Sequence, residues 1–291
     1  MIFELIAIIA PVFACAAIGF VWGRSAKPYD TEMVTNLVTL IGAPCLIFTA
    51  LVSVKLDLAA MQEMALVSTL AISAFAGIGF VILKASGQSI RSFLPSLTFT
   101  NCGNVGLPLS FLAFGDPGIA FAAVYFAIST IVQFTLGIGL VSGSASLGRF
   151  LRMPLIYAIA LAVVVMTTSV VLPKWILNTL DILSGMTIPL MLITLGVSLA
   201  RLQVKSLPRS TALSVLRLVM GFGVGVFLAW VFNLEGSARG VLILQSAMPV
   251  AVFNYLFSQR YNTNPTEVAG MVVISTILSF ATLMPLLWFV L

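Results

Sequence analysis

A cluster of polar and helix-breaking residues interrupts an apolar stretch of the chain. Residues 98–109 read TFTNCGNVGLPL and bring together Asn101, Gly103, Asn104, Gly106 and Pro108. Proline removes a backbone donor and glycine weakens a helix, so the segment is predicted to unwind between two half-helices. The alternative is a kinked helix whose small residues allow close packing. We favour the unwound site, because polar groups in an apolar environment are costly and usually mark function.

A second, sparser break lies at residues 245–254, which read QSAMPVAVFN. Pro249 stands there between Gln245 and Asn254. If the two breaks meet, two half-helix N-termini point into one cavity, and each carries about half a positive elementary charge. Neither segment contains an Asp or Glu. The cavity is therefore predicted to hold an anion, or the carboxylate end of a zwitterion.

The composition indicates that both breaks lie in membrane-spanning segments. The chain has 291 residues, of which 60% are hydrophobic and only 8% charged, too few charges to cover a water-exposed surface. The surface must largely face a lipid bilayer, and no nucleic-acid motif accompanies the net charge of +5. Stretches of about 20 apolar residues predict membrane spans. Ten are predicted: 2–22, 32–53, 62–83, 90–114, 118–141, 154–172, 176–199, 208–232, 238–259 and 266–290.

The basic residues set the predicted orientation. The odd-numbered connections carry Arg24, Lys27, Lys84, Arg91, Arg149, Arg152, Arg201, Lys205, Arg209 and Arg260. The even-numbered connections carry only Lys55, Lys174 and Arg239. Basic loops stay in the cytoplasm, so the prediction is a multi-pass bacterial inner-membrane protein with both termini periplasmic. The first apolar stretch is interpreted as a retained span, because Glu4 stands where a signal peptide carries positive charge.

The chain also repeats itself. APCLIFT at 43–49 resembles IPLMLIT at 188–194, an offset of 145 residues, and ISTI at 128–131 recurs at 274–277, an offset of 146. Each half, 1–145 and 146–291, holds five predicted spans, and an odd number inverts the second half relative to the first. Inverted repeats are typical of secondary transporters, whose binding sites lie where the repeats meet.

Other polar residues within the predicted spans are candidates for ion coupling or for contact with the anion. Candidate ligands for a coupling cation are Ser129, Thr130, Gln133, Ser275 and Thr276. Hydroxyls of this kind commonly bond back to their own helix, and we favour that interpretation. Arg217 either extends to the cytoplasmic face or holds a substrate carboxylate. No cofactor is predicted, and the absence of His and of paired cysteines argues against a metal site. Either Na⁺ or H⁺ could be the coupling ion.

The motif NCGNVGLPL at 101–109, followed by Phe114-Gly115 and Gly118, closely resembles the fourth-span signature of the auxin efflux carrier family. That family includes plant PIN carriers and many bacterial proteins. The sequence around Pro44, Pro189 and Pro249 fits the same family, and the resemblance covers essentially the whole chain. The chain lacks the long cytoplasmic loop of some plant members, so it resembles the compact bacterial type.

The resemblance implies an all-α polytopic membrane protein of ten helices in two inverted five-helix repeats, with discontinuous helices 4 and 9 that cross. It implies a scaffold domain of spans 1, 2, 6 and 7 and a transport domain of spans 3–5 and 8–10. It further implies elevator-type alternating access and a homodimer. The residues at the crossing would be Asn101, Asn104, Gly106, Pro108, Gln245, Pro249 and Asn254.

The predicted function is secondary transport of a small organic anion, such as a carboxylate, an auxin-like weak acid or a dicarboxylate like malonate. A sodium-coupled symporter of the bile-acid type, which shares this fold, is one alternative. A channel is another, although channels usually need an open polar path. An enzyme is not expected, since without His the common metalloprotease and serine hydrolase sites are unavailable. The sequence also has no P-loop, so ATP is not the predicted driver.

Overall fold

The structure, a computed structural model, describes residues 2–25, 27–53, 58–142, 154–168, 170, 172–202 and 207–291. Within these ranges the regular structure is helical, and the β pairing consists of one isolated antiparallel bridge between Thr100 and Val250. Several residues used above lie outside the described ranges: Lys55, Arg149, Arg152, Lys205 and the boundary between residues 145 and 146.

The helices of the first predicted repeat follow its apolar stretches. They are α1 (Ile2–Arg24), α2 (Thr31–Leu37), α3 (Ala43–Ser53), α4 (Leu58–Ala85), α5 (Ile90–Thr98), α6 (Leu107–Val132) and α7 (Ile138–Ser142). Three π-helical turns, Val38–Gly42, Cys102–Gly106 and Gln133–Gly137, join α2 to α3, precede α6 and join α6 to α7. The described helices of the second half are α8 (Pro154–Thr168), α9 (Lys174–Gly185), α10 (Thr187–Arg201), α11 (Leu207–Val231), α12 (Gly236–Ser246), α13 (Val252–Arg260) and α14 (Pro265–Val290).

Seven helical stretches of the described chain are long and apolar enough to cross a membrane. The longest, Cys102–Ser142, joins the second part of predicted span 4 to predicted span 5, and Gly115 breaks it with a φ of 62° and a ψ of −147°. Predicted span 6 is the shorter helix α8, and predicted span 9 is divided between α12 and α13. The chain is thus an all-helical, multi-pass membrane protein, and the count of ten spans stays a prediction.

The helices pack in two groups. In one, α1 lies along α10, while α3 packs against α8 and α9. In the other, α4 packs against α5 and α6, and α11 packs against α12 and α14. Glycines bring α1 and α10 close, since a Cβ at Gly19 would meet the backbone of Ile193 and a Cβ at Gly196 would meet the backbone of Ala16. The groups contact each other along α6, which packs against α1 and α3, and at the π-helical turn Cys102–Gly106, which packs against α10.

Candidate functional site

The break in predicted span 4 is short and is followed by a π-helical turn. Helix α5 ends at Thr98, Phe99 is extended with φ −98° and ψ 117°, and Asn101 has φ −78° and ψ 50°. The amides of Val105 and Gly106 then donate to the carbonyl of Asn101. The sequence predicted unwinding across residues 98–109, whereas the unwound part is 99–101. Pro108 is the second residue of α6, which continues directly from the π-helical turn.

The break in predicted span 9 runs from residue 247 to residue 251. Helix α12 ends at Ser246 and α13 begins at Val252, with Pro249 between them. Gln245 therefore lies in the last turn of the first half-helix and Asn254 in the first turn of the second.

Backbone hydrogen bonds join the two breaks directly. The Asn101 amide donates to the Pro249 carbonyl at 2.7 Å, and the Ala251 amide donates to the Phe99 carbonyl at 3.2 Å. Together they form the bridge between Thr100 and Val250. We call residues 99–101 and 249–251 the crossover. Each break supplies the hydrogen-bond partners that the other lacks, which meets the requirement for non-helical backbone inside a membrane.

Buried side chains brace the crossover. Asn254 donates from Nδ2 to the Phe99 carbonyl at 3.2 Å, and its Oδ1 accepts from Gln133 Nε2 at 3.0 Å. The Val250 amide donates to Ser275 Oγ at 3.0 Å. Asn254, Gln133 and Ser275 are all buried. Asn254 and Ser275 hold the backbone of the crossover, and Gln133 holds the Asn254 side chain.

Gly106 allows the two broken spans to approach each other. A Cβ at this position would collide with Oε1 of Gln245. Gln245 is fully buried and donates from Nε2 to Ser110 Oγ at 3.1 Å. The glycine therefore makes room for a glutamine that ties α12 to α6.

A cavity of about 460 Å³ opens on one side of the crossover. Its polar lining includes Thr31, Thr35, Asn36, Thr39, Asn101, Asn104, Thr130, Gln133, Thr194, Ser198 and Arg201. Its larger apolar side chains include Phe126, Phe134, Leu155, Met191, Phe253, Tyr255 and Leu256. The volume and the mainly apolar wall with a few polar groups are typical of sites for small organic molecules.

Both half-helix N-termini face this cavity. Cys102 and Gly103 line it from the turn that leads into α6, and Val252 and Phe253 line it from the start of α13. Neither start is capped by a side chain of the preceding residue, so the first amides of each half-helix are not satisfied in that way. Asn101 Nδ2 is buried and makes no hydrogen bond among the described residues. These donors together favour a negatively charged group.

The predicted site residues divide into two sets. Those that line the cavity are Asn101, Asn104, Thr130 and Gln133, whereas Gly106, Pro108, Gln245, Pro249, Asn254, Ser129, Ser275, Thr276 and Arg217 are not part of its lining. In the second set, Thr276 Oγ1 donates to the Val272 carbonyl at 2.7 Å and Ser275 Oγ to the same carbonyl at 3.3 Å. Those two hydroxyls bond back to their own helix.

Arg217 lies on the other side of the crossover, away from the cavity lining. Its side chain is fully buried, so it does not extend to the surface. Its two terminal nitrogens donate to the Leu97 carbonyl, at 2.7 Å, and to the Ser246 carbonyl. The guanidinium carbon sits 4.2 Å from the centroid of the Phe75 ring, close enough for a cation–π contact.

Arg201 is a candidate site residue that the sequence reasoning assigned only to topology. Among the described lining residues it carries the only charge. Its Nη1 donates to the Tyr29 carbonyl at 3.0 Å and to Thr31 Oγ1 at 3.2 Å, which ties the end of α10 to the start of α2 at the rim of the cavity. Its position at the end of an apolar stretch gave no signal that distinguished it from the other loop cations.

Comparison with known proteins identifies the family of the chain. A family model described as membrane transport protein matches residues 140–288, just over half of the chain. An uncharacterized transporter from Methanothermobacter thermautotrophicus is 26% identical over 267 residues, covering 87% of each chain. Another, from Methanocaldococcus jannaschii, is 25% identical over 221 residues, covering 72% of this chain and 71% of the relative. The chain therefore belongs to the membrane transport protein family, that of the auxin efflux carriers, and is a transporter rather than an enzyme.

Proposed function

We propose that the protein is a secondary carrier of small organic monoanions. One observation carries the proposal: two half-helix N-termini without side-chain caps, Asn101 and the single cation Arg201 border one cavity whose described lining contains no acidic residue. A carboxylate placed there would accept hydrogen bonds from the first amides of each half-helix and from Asn101.

The remaining wall indicates the size and character of the rest of the substrate. Phe134 makes edge contacts with Phe253 and Phe257, with ring centroids 5.7 and 5.5 Å apart. Phe134 and Phe253 line the cavity, so their aromatic faces and edges suit an apolar or aromatic body. A second carboxylate would find one cation, Arg201, and otherwise neutral polar and apolar groups, and desolvating an unpaired charge is costly. Auxin-like monocarboxylates fit this wall better than dicarboxylates such as malonate.

The two packing groups support elevator-type transport in which the crossover moves against a scaffold. The scaffold would comprise spans 1, 2, 6 and 7, and the moving domain spans 3–5 and 8–10. An inverted repeat is supported by a close contact between Gly42 and Thr187, whose separation of 145 residues equals the repeat offset. Residues that meet their own symmetry partners lie at a two-fold axis, so a two-fold axis of the repeat would pass near Gly42 and Thr187. A homodimer and a bacterial inner-membrane location belong to the same proposal.

The predicted orientation assigns the cavity opening to one side of the membrane. Arg201 and Thr31 lie at its rim, and they belong to the connections 7–8 and 1–2, which the basic residues place in the cytoplasm. The described conformation would then face inward, with both termini periplasmic. Cysteine labelling at the two termini tests this orientation.

A binding screen on the purified protein tests the function. Thermal shifts are measured with aromatic and aliphatic monocarboxylates, malonate and the corresponding uncharged amides. We expect stabilisation by monocarboxylates and none by the amides. Stabilisation by the amides alone, or by cations alone, would rule out an anion carrier.

Arg201→Gln sharpens the same screen. Because Arg201 is exposed, removing its charge is expected to weaken carboxylate binding by only about two- to fivefold, and the loss should shrink at high salt. Arg24→Gln is the matched control, since Arg24 is an exposed cation outside the cavity lining. Equal affinities in both variants would remove Arg201 from the site.

A further inference from the structure

The two broken helices leave negative ends as well as positive ones. Leu97 lies in the last turn of α5 and Ser246 is the last residue of α12. The final carbonyls of a helix lack intrahelical partners, and each helix C-terminus carries about half a negative elementary charge. Inside a membrane, two such ends need a cation or strong hydrogen-bond donors nearby.

Arg217 meets this need at both ends at once. One terminal nitrogen donates to the Leu97 carbonyl and the other to the Ser246 carbonyl. Its single positive charge equals the sum of the two partial negative charges, about one elementary charge in all. No carboxylate among the described residues pairs with it, so the helix ends are its electrostatic partners.

The surrounding packing holds the guanidinium in this place. Phe75 covers one face of the group. Gly221, one turn further along α11, has no side chain, and a Cβ there would collide with the Ser246 carbonyl and come within 2.9 Å of Nη2 of Arg217. The glycine thus lets α11 approach α12 closely enough for the arginine to reach the carbonyl.

In secondary transporters with broken helices, half-helix C-termini and unwound carbonyls are where coupling cations bind. We propose that Arg217 is a built-in cation that permanently occupies this position, so that no dissociable Na⁺ neutralises the half-helix C-termini. An arginine is not deprotonated in proteins, so a coupling proton cannot be exchanged at this position either. Arg217 plays this part whatever anion the protein carries.

The test removes the built-in charge and asks whether a dissolved cation replaces it. Thermal stability of the purified protein is measured in choline chloride, in NaCl and with low millimolar guanidinium, for the wild type, Arg217→Ala, Arg217→Lys and Arg217→Met. We expect Na⁺ and choline to differ by less than about 1 °C in the wild type, because the position is already filled. Arg217→Ala should lose about 5 °C or more in choline and recover part of it with guanidinium or Na⁺. Arg217→Lys, which keeps the charge, should have a melting temperature between those of the wild type and Arg217→Ala.

Three outcomes would overturn the proposal. Arg217→Met as stable as the wild type would mean that side-chain volume, and not charge, is what the position needs. If the melting temperature of Arg217→Ala falls by the same amount in choline chloride, in NaCl and with guanidinium, then the substitution vacated no cation position. Arg217→Ala as stable as the wild type in choline would mean that the charge has no role.

A glycine pair keeps the test decisive if the arginine variants do not purify. Gly221→Ala should lower the melting temperature, because the new Cβ would collide with the Ser246 carbonyl and separate that carbonyl from the guanidinium; guanidinium or Na⁺ should restore part of the loss. Gly223→Ala is the matched control on the same helix, where nothing lies within 4 Å of the added Cβ. Equal melting temperatures for Gly221→Ala and Gly223→Ala would overturn the proposal. Carboxylate binding is not part of either measurement, so failure here leaves the carrier function untouched.

Discussion

The contact between α1 and α10 and the crossover both bring backbone close to backbone, by different means. Between α1 and α10, intact helices approach through Gly19 and Gly196, and a Cβ at either would meet backbone atoms of the partner helix. At the crossover the helices are broken, and hydrogen bonds from Asn101 and Ala251 join the two breaks. The first contact leaves its backbone hydrogen bonds within each helix, whereas the second exposes helix ends. We therefore expect the first contact to serve rigidity and, under the proposed function, the second to serve binding.

The largest effect is expected when the α1–α10 contact is broken. Gly196→Ala places a Cβ against the backbone of Ala16 and Phe20, which cannot move without shifting α1. Overpacking of this kind should lower the melting temperature by about 5–10 °C, with carboxylate affinity unchanged in the protein that remains folded. Gly77→Ala is the control, because nothing lies within 4 Å of its added Cβ. Equal melting temperatures for both variants would show that the close approach carries no strain.

At the crossover the same comparison predicts lost binding with little lost stability. Asn101→Ala and Asn104→Ala remove amides that line the cavity, and a hydrogen bond to a charged ligand contributes about 1.5–3 kcal/mol, or roughly tenfold or more in affinity. Titration of each purified variant with a monocarboxylate measures the loss. Asn178→Ala, an exposed asparagine on α9, serves as the control. Near-wild-type affinity in both cavity variants would move the site away from the crossover.

The smallest effect is expected among the hydroxyls first considered as cation ligands. Thr276→Val should change monocarboxylate affinity by less than about twofold, because its hydroxyl already donates to the Val272 carbonyl of its own helix. Thr130→Val is the informative partner, since Thr130 lines the cavity. A loss of affinity in Thr276→Val as large as that in Thr130→Val would restore Thr276 as a candidate site residue.

The sequence predicted the class of the protein and the approximate positions of both breaks, because proline, glycine and asparagine act locally on the backbone. It did not predict the extent of the first break. The turn Cys102–Gly106 stays helical, and the partners of the unwound residues come from Pro249 and Ala251, about half the chain away. Turn residues alone do not reveal such distant hydrogen bonds.

The two informative arginines illustrate the same limit. Arg217 was expected either at the surface or on the substrate, yet it contacts two carbonyls from two different half-helices. Arg201 looked like any other loop cation until the fold placed it on the cavity rim. In both cases the residue type was visible in the sequence, and the deciding neighbour was set by tertiary structure.

The buried charge of Arg217 also bears on how the membrane voltage acts on the transport cycle. Moving one elementary charge across the full potential changes the free energy by about 2.3 kcal/mol per 100 mV. If the crossover moves during transport, Arg217 moves with it, and a bound monoanion reduces the sum of the two charges to zero. The loaded step would then be insensitive to voltage with respect to this pair, and the empty return would transfer the positive charge. A dianion would leave a net charge of −1 on the loaded step while the empty return still transferred +1, so both steps would depend on voltage. The voltage dependence of the two half-cycles would therefore report the charge of the substrate.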